Sequence, residues 1–161
     1  MPSFEKNPTT RTPFGKNQYL RSTRGLKFES YTLAADTVPE VEIDGFDEKY
    51  LQPGTVMARI TAVGDNEGKI GPYEPGDDPS DPGNGSGAAS DGREDPANIV
   101  GVLETFLPWQ LKHRDVEVAV AYEAAVVQDR CYELVDGEFA ALSDDTRDAM
   151  AALPRISMTF H

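Results

Sequence analysis

The stretch from Leu51 to Tyr73, LQPGTVMARITAVGDNEGKIGPY, decides the fold. Pro53-Gly54 makes a turn, after which Val56, Ala58 and Ile60 alternate with Thr55, Met57, Arg59 and Thr61, the period of two that marks a half-buried strand. Polar turn residues interrupt the pattern at Gly64 to Gly68, and it resumes at Lys69-Ile70-Gly71-Pro72-Tyr73. Two later stretches answer this first wall of a β core. Ile99-Val100-Gly101-Val102-Leu103 is a continuous apolar run, suited to a strand covered on both faces. Val116, Val118, Val120 and Tyr122 alternate with Glu117, Ala119, Ala121 and Glu123, and the β pattern continues to Val127.

Outward from this centre, Leu26 to Leu33 and Val41 to Phe46 read as short, weak strands, with Asp44-Gly45 as a turn. Arg130 to Val135 and Glu138 to Leu142 flank Asp136-Gly137, a two-residue hairpin signal. Ser143 offers a helix N-cap, and Asp144 and Asp145 place negative charge in the first turn, where the helix dipole favours it. The helix runs to about Leu153 before Pro154, and Ile156, Met158 and Phe160 alternate in a last strand. The pattern predicts one mainly β domain over residues 26–161, with one short C-terminal helix and a helix-plus-strand tail at 143–161.

Two segments fall outside this core. Residues 1–25 carry Pro2, Pro8 and Pro13 and only isolated apolar residues, so they read as a flexible arm. Residues 74–96, EPGDDPSDPGNGSGAASDGREDP, read as a long exposed acidic loop. Its carboxylates suit a hard cation, yet their spacing does not match an EF-hand loop, so a solvated loop is the expectation and no metal is assigned.

Charge is partitioned along the chain. The 161 residues hold 15 Lys plus Arg against 28 Asp plus Glu, a net charge of −13, which repels a nucleic-acid backbone. Residues 1–30 contain Lys6, Arg11, Lys16, Arg21, Arg24 and Lys27 against Glu5 and Glu29, a net +4 that leaves −17 for the remainder. A basic arm precedes an acidic body. No apolar run approaches the roughly 20 residues of a membrane span, and Met1 to Thr12 lacks the apolar middle of a secretion signal, so a soluble, unexported protein is expected.

Chemistry finds little support in the pattern. His113 lies in a Lys/Arg turn, His161 ends the chain, and Cys131 has no neighbouring His, so it reads as a small core residue. No nucleotide-binding, zinc-protease or serine-hydrolase signature occurs. PGTVMARI is compatible with a biotin- or lipoate-bearing carrier domain, but Lys69 lacks the hairpin-tip setting of a modified lysine. No catalytic residue and no cofactor is expected. The alternatives weighed are a small β-barrel enzyme or ligand-binding protein, and a tail-associated virion component.

Taken in order, Leu51 to Thr61 with its PGTV, Gly68 to Tyr73 with GK-x-x-PY, Ile99 to Leu103 with its GVL ending, and the Val116 to Val127 strand resemble the lambda-type head decoration proteins of tailed bacteriophages. The resemblance covers about Leu51 to Val127, and its specificity lies in the order and spacing of the pieces. It implies a β-tulip fold, a homotrimer, and attachment to the major capsid protein on the outer surface of the expanded head, after a period in the host cytoplasm. Neither nucleic acid nor membrane is an implied partner. The family's N-terminal arm orders against the shell, which assigns capsid contacts to Lys6, Arg11, Phe14, Lys16, Tyr19, Leu20, Arg21 and Arg24. Phe106, Leu107 and Trp109, an apolar patch around Pro108, are the candidates for a trimer interface or a barrel cap. The long arm, the acidic loop and the C-terminal tail depart from the compact members of that family.

Overall fold

A computed structural model describes residues 18–107 and 110–161. Ten strands follow in chain order: β1 (Leu20–Leu33), β2 (Val41–Ile43), β3 (Phe46–Glu48), β4 (Val56–Arg59), β5 (Ile70–Pro72), β6 (Ile99–Leu103), β7 (Val116–Val126), β8 (Tyr132–Val135), β9 (Glu138–Ala141) and β10 (Ser157–Phe160). The one α-helix among the described residues, α1 (Asp144–Ala151), precedes β10. The main sheet runs β1-β5-β4-β6-β7-β10, and β1 also pairs with β7, so five strands close into a ring. The fold is mainly β, as the alternating segments predict.

Closure is uneven. β1 and β7 pair antiparallel from Leu20↔Val126 to Leu33↔Val116, whereas β1 meets β5 in parallel at Leu33↔Ile70 alone. Leu33, Met57, Ile70, Val100, Leu103, Val118 and Val120 contribute one side chain or two from every strand of the ring, and they pack into one buried cluster. A second cluster lies on the opposite face of the β4-β6-β7 wall. There Val56, Ala58, Val102 and Val126 are covered by Tyr19, Cys131, Leu142, Met150 and Ile156. Burial on both faces explains the unbroken apolar run of β6, every residue of which is buried.

Two bulges reconcile the strands with these two cores. Lys27 opposes Glu123 while Phe28 opposes Ala121, so Tyr122 is an extra residue in β7. One inserted residue reverses which side chains face which side, and so Val118 and Val120 enter the ring while Ala124 and Val126 face the second cluster. In β6, Met57 opposes Gly101 and Ala58 opposes Ile99, leaving Val100 as the extra residue. Gly101 has φ +142°, and a Cβ there would collide with the Ala121 carbonyl oxygen.

The turns follow their sequence signals. Asp44-Gly45 and Asp136-Gly137 each take positive φ at both positions and join β2 to β3 and β8 to β9. Ser143 caps α1 by accepting a hydrogen bond from the Thr146 amide at 3.2 Å. Buried Glu133 of β8 reaches the same helix end, accepting from the Ser143 amide at 2.8 Å and from the Thr146 hydroxyl. A carboxylate suits this end of a helix, and here it also fixes α1 to the hairpin.

The structure corrects the domain boundary at the N-terminus. Residues 20–25, expected in the flexible arm, belong to a strand continuous with the expected 26–33 strand. Backbone pairing needs no apolar side chains, so Leu20 and Ser22 join β7 without a periodic signal, and the bulged residues between Ser22 and Lys27 break the alternation that would have marked the strand. Gly101→Ala combines backbone strain with a steric clash against main chain. It is expected to lower the unfolding free energy by about 3 kcal/mol, read by urea denaturation.

Candidate interaction surface

The root of the N-terminal segment is built into the barrel. Tyr19 is 2% exposed, its carbonyl accepts from the Val127 amide at 2.7 Å, and its ring packs in the second cluster near Cys131. The Arg130 guanidinium donates to the Gln18 carbonyl at 3.0 Å, and Leu20 packs at the margin of the same cluster. Burial, with lesser contributions from Glu104 and Cys131, pushes the Tyr19 phenol above its ordinary range. Tyr19 and Leu20 were expected among the partner-facing residues. The correction is that Tyr19 is an anchor, and Leu20 is part of the fold, because each has a packing site in the chain's own core.

Beyond that root the surface changes character. Arg21 and Arg24 are exposed on β1, and among the described residues neither guanidinium meets a carboxylate. Four residues of β1, Thr23 to Leu26, lie between the pairs Ser22↔Ala125 and Lys27↔Glu123 against one of β7, and Gly25 takes φ +75° within that bulge. Lys27 pairs with Glu123 at 2.9 Å, and Phe28 stands 55% exposed beside it. The structure thus groups Arg21, Arg24, Lys27 and Phe28 on one strand. Lys6, Arg11, Phe14 and Lys16 lie outside the described residues.

Two members of the expected apolar patch, Phe106 and Leu107, are described, and they differ in exposure. Leu107 is 1% exposed, exchanges backbone hydrogen bonds with Leu51 at 2.9 and 3.0 Å, and packs inside the ring with Leu33 and Leu103. Of the two readings offered for it, Leu107 takes that of the barrel cap, as a buried member of the ring cluster. Phe106 is half-buried, and Trp109 lies outside the described residues.

The acidic loop has a fastening the sequence did not reveal. Arg93 is 7% exposed; it pairs with Asp91 at 3.0 Å and Glu74 at 3.3 Å and donates to the Pro72 carbonyl at 3.1 Å. The only cation of the segment therefore ties both loop ends to β5. Burial raises the Glu74 carboxyl's pKa, and Arg93 opposes that shift. The tip forms an open cleft of about 450 Å³ lined by Asp77, Asp78, Asp81, Asn84 and Gly85. Its carboxylates serve the loop itself: Asp77 accepts from the Ser86 amide, Asp78 from Ser80, and Asp81 from Asn84. Among the described residues no three acidic, His or Cys side chains converge as metal ligands.

Cys131 is fully buried, and burial pushes its thiol up to about 12, so at neutral pH it is protonated and non-nucleophilic. His113 and His161 are exposed. Among the described residues no helix is long and apolar enough to cross a membrane. Comparison with family models, with curated proteins and with solved structures finds no match to this chain.

Tyr19→Ala is expected to lower stability by about 4 kcal/mol, the cost of emptying a large aromatic site. Among the described residues the phenolic hydroxyl has no hydrogen-bond partner, so Tyr19→Phe is expected to stay within about 1 kcal/mol of the parent in thermal unfolding. Native Cys131 should resist iodoacetamide at pH 8 and react on unfolding in guanidinium. Rapid labelling of the folded protein would contradict its placement.

Proposed function

We propose that the protein is a passive virion component that decorates the outside of an expanded bacteriophage head as a trimer, gripping the major capsid protein through its N-terminal segment. The resemblance supplies the family, and its four sequence pieces lie on β4, β5, β6 and β7, which are successive neighbours in one ring. The observation that carries the reading is the charged strand at the root of that segment. Arg21 and Arg24 are exposed, and among the described residues neither meets a carboxylate, on a body that is otherwise strongly acidic. Unbalanced surface cations on such a body favour an anionic protein surface over self-association of like charges.

In this arrangement Tyr19 and Leu20 act as the hinge post, while Lys6, Arg11, Phe14, Lys16, Arg21 and Arg24 face the shell. Aromatic residues contribute by burial and basic ones by charge complementarity. Three such segments on one trimer bind at high effective concentration once the first is engaged, so weak individual contacts sum to firm attachment. The acidic loop, tied down at both ends by Arg93, points away from the shell and keeps decorated particles apart by repulsion.

The test is removal of residues 1–17, which leaves Tyr19 and β1 intact. The truncated protein is expected to keep its circular dichroism spectrum and its melting temperature within a few degrees. It should fail to co-sediment with empty expanded heads that bind the full chain. Undiminished co-sedimentation would refute the role of the segment.

A further inference from the structure

The ring leaves one strand edge open. β1 pairs with β7 along one side, but on its other side β5 pairs only with Leu33, and β4 meets β1 through side chains, the Arg59 guanidinium lying over the Tyr31 ring 5.8 Å from its centroid. Among the described residues, nothing pairs with the outer edge of Lys27 to Ser30, and these residues are exposed. An unpaired edge presents a row of backbone donors and acceptors ready for another strand.

We infer that this edge is an interface between two copies of the chain, formed by antiparallel pairing of β1 with β1 about a two-fold axis at Phe28. The sequence across the axis is self-complementary. With Phe28 opposite its own copy, Lys27 of each strand stands directly opposite Glu29 of the other, twice over. Directly opposed opposite charges favour an antiparallel pair, and so do facing aromatic rings. An edge guarded by charges of one sign would repel a second copy, which is how such edges are usually kept single. Lys27-Phe28-Glu29 does the reverse, because reading the strand backwards exchanges the signs. The seven residues from Lys27 to Leu33 pair residue by residue with β7 apart from the bulge at Tyr122, which lies on the β7 side, so β1 itself is a regular strand here. Phe28, 55% exposed, gains cover that the described residues of its own chain do not give it.

An isologous contact joins copies in pairs, so every assembly that contains it holds an even number of chains, either two single chains or two trimers. It does not depend on any capsid, and it stands or falls separately from the decoration role. Light scattering on the intact chain is expected to give an even number of protomers. Lys27→Glu and Glu29→Lys should each halve that mass by opposing like charges, and the double variant K27E/E29K should restore it. Phe28→Cys should form an intermolecular disulfide under mild oxidation, since directly opposed residues have Cα atoms about 5 Å apart and Cys131 is buried. Circular dichroism of each variant guards against loss of fold, and the Phe28→Cys cross-link reads the contact even if one charge variant fails to fold. A parent mass of one or three chains, or single charge variants that fold and keep the parent mass, or no cross-link, would overturn the inference.

Discussion

The antiparallel ladder between β1 and β7 is the constraint on which the molecule depends. β7 is the strand shared by everything: β1 on one edge, β6 and then β10 on the other. Because β1 and β5 meet at a single residue pair, the ring is held shut chiefly by the long β1–β7 pairing. That ladder brings Tyr19 to the second cluster. Among the described residues, it also leaves the opposite edge of β1 unpaired except at Leu33. Closure, anchoring and an open edge are therefore three outcomes of one pairing.

The second dependence is on the bulges. A strand buried on one face keeps one alternation, but here β7 serves the ring interior with Val118 and Val120 and the outer cluster with Ala124 and Val126. The extra residue Tyr122 makes that exchange possible. The outer cluster in turn needs a cover, and the C-terminal tail provides it through Leu142, Met150 and Ile156. Glu133 ties the start of α1 to β8, so the helix is fixed by a carboxylate as well as by apolar packing.

Much of this was legible in the residues. The alternation at Val56 to Ile60, the apolar run at Ile99 to Leu103, both Asp-Gly turns and the Ser143 cap each carry a local physical signature, and each element formed where that signature lies. What was not legible involved partners distant in the chain. Arg21 to Gly25 lacks periodicity, and the chain stays on the sheet there because Leu20, Ser22 and Lys27 pair with β7 about a hundred positions away, while the residues between them bulge out. Leu107, in the apolar stretch with Phe106 and Trp109, was open between a barrel cap and a subunit interface, and its burial and backbone exchange with Leu51 decide for the cap. Arg93 was hidden in a composition that reads as loop, since a single cation among many carboxylates gives no hint of which ones it will hold. The candidate surface was half legible: the charge imbalance of residues 1–30 marked the region, and the fold divided it into an anchor at Tyr19 and an exposed strand beyond.

The central claim is that a closed acidic barrel meets its partner through the positive N-terminal side and leaves the acidic loop free. Hydrogen–deuterium exchange on the protein alone and bound to expanded heads tests this most directly. New protection is expected within residues 1–30, with the amides of 77–90 unchanged. Protection gained in the acidic loop, with the N-terminal side unaffected, would contradict the account.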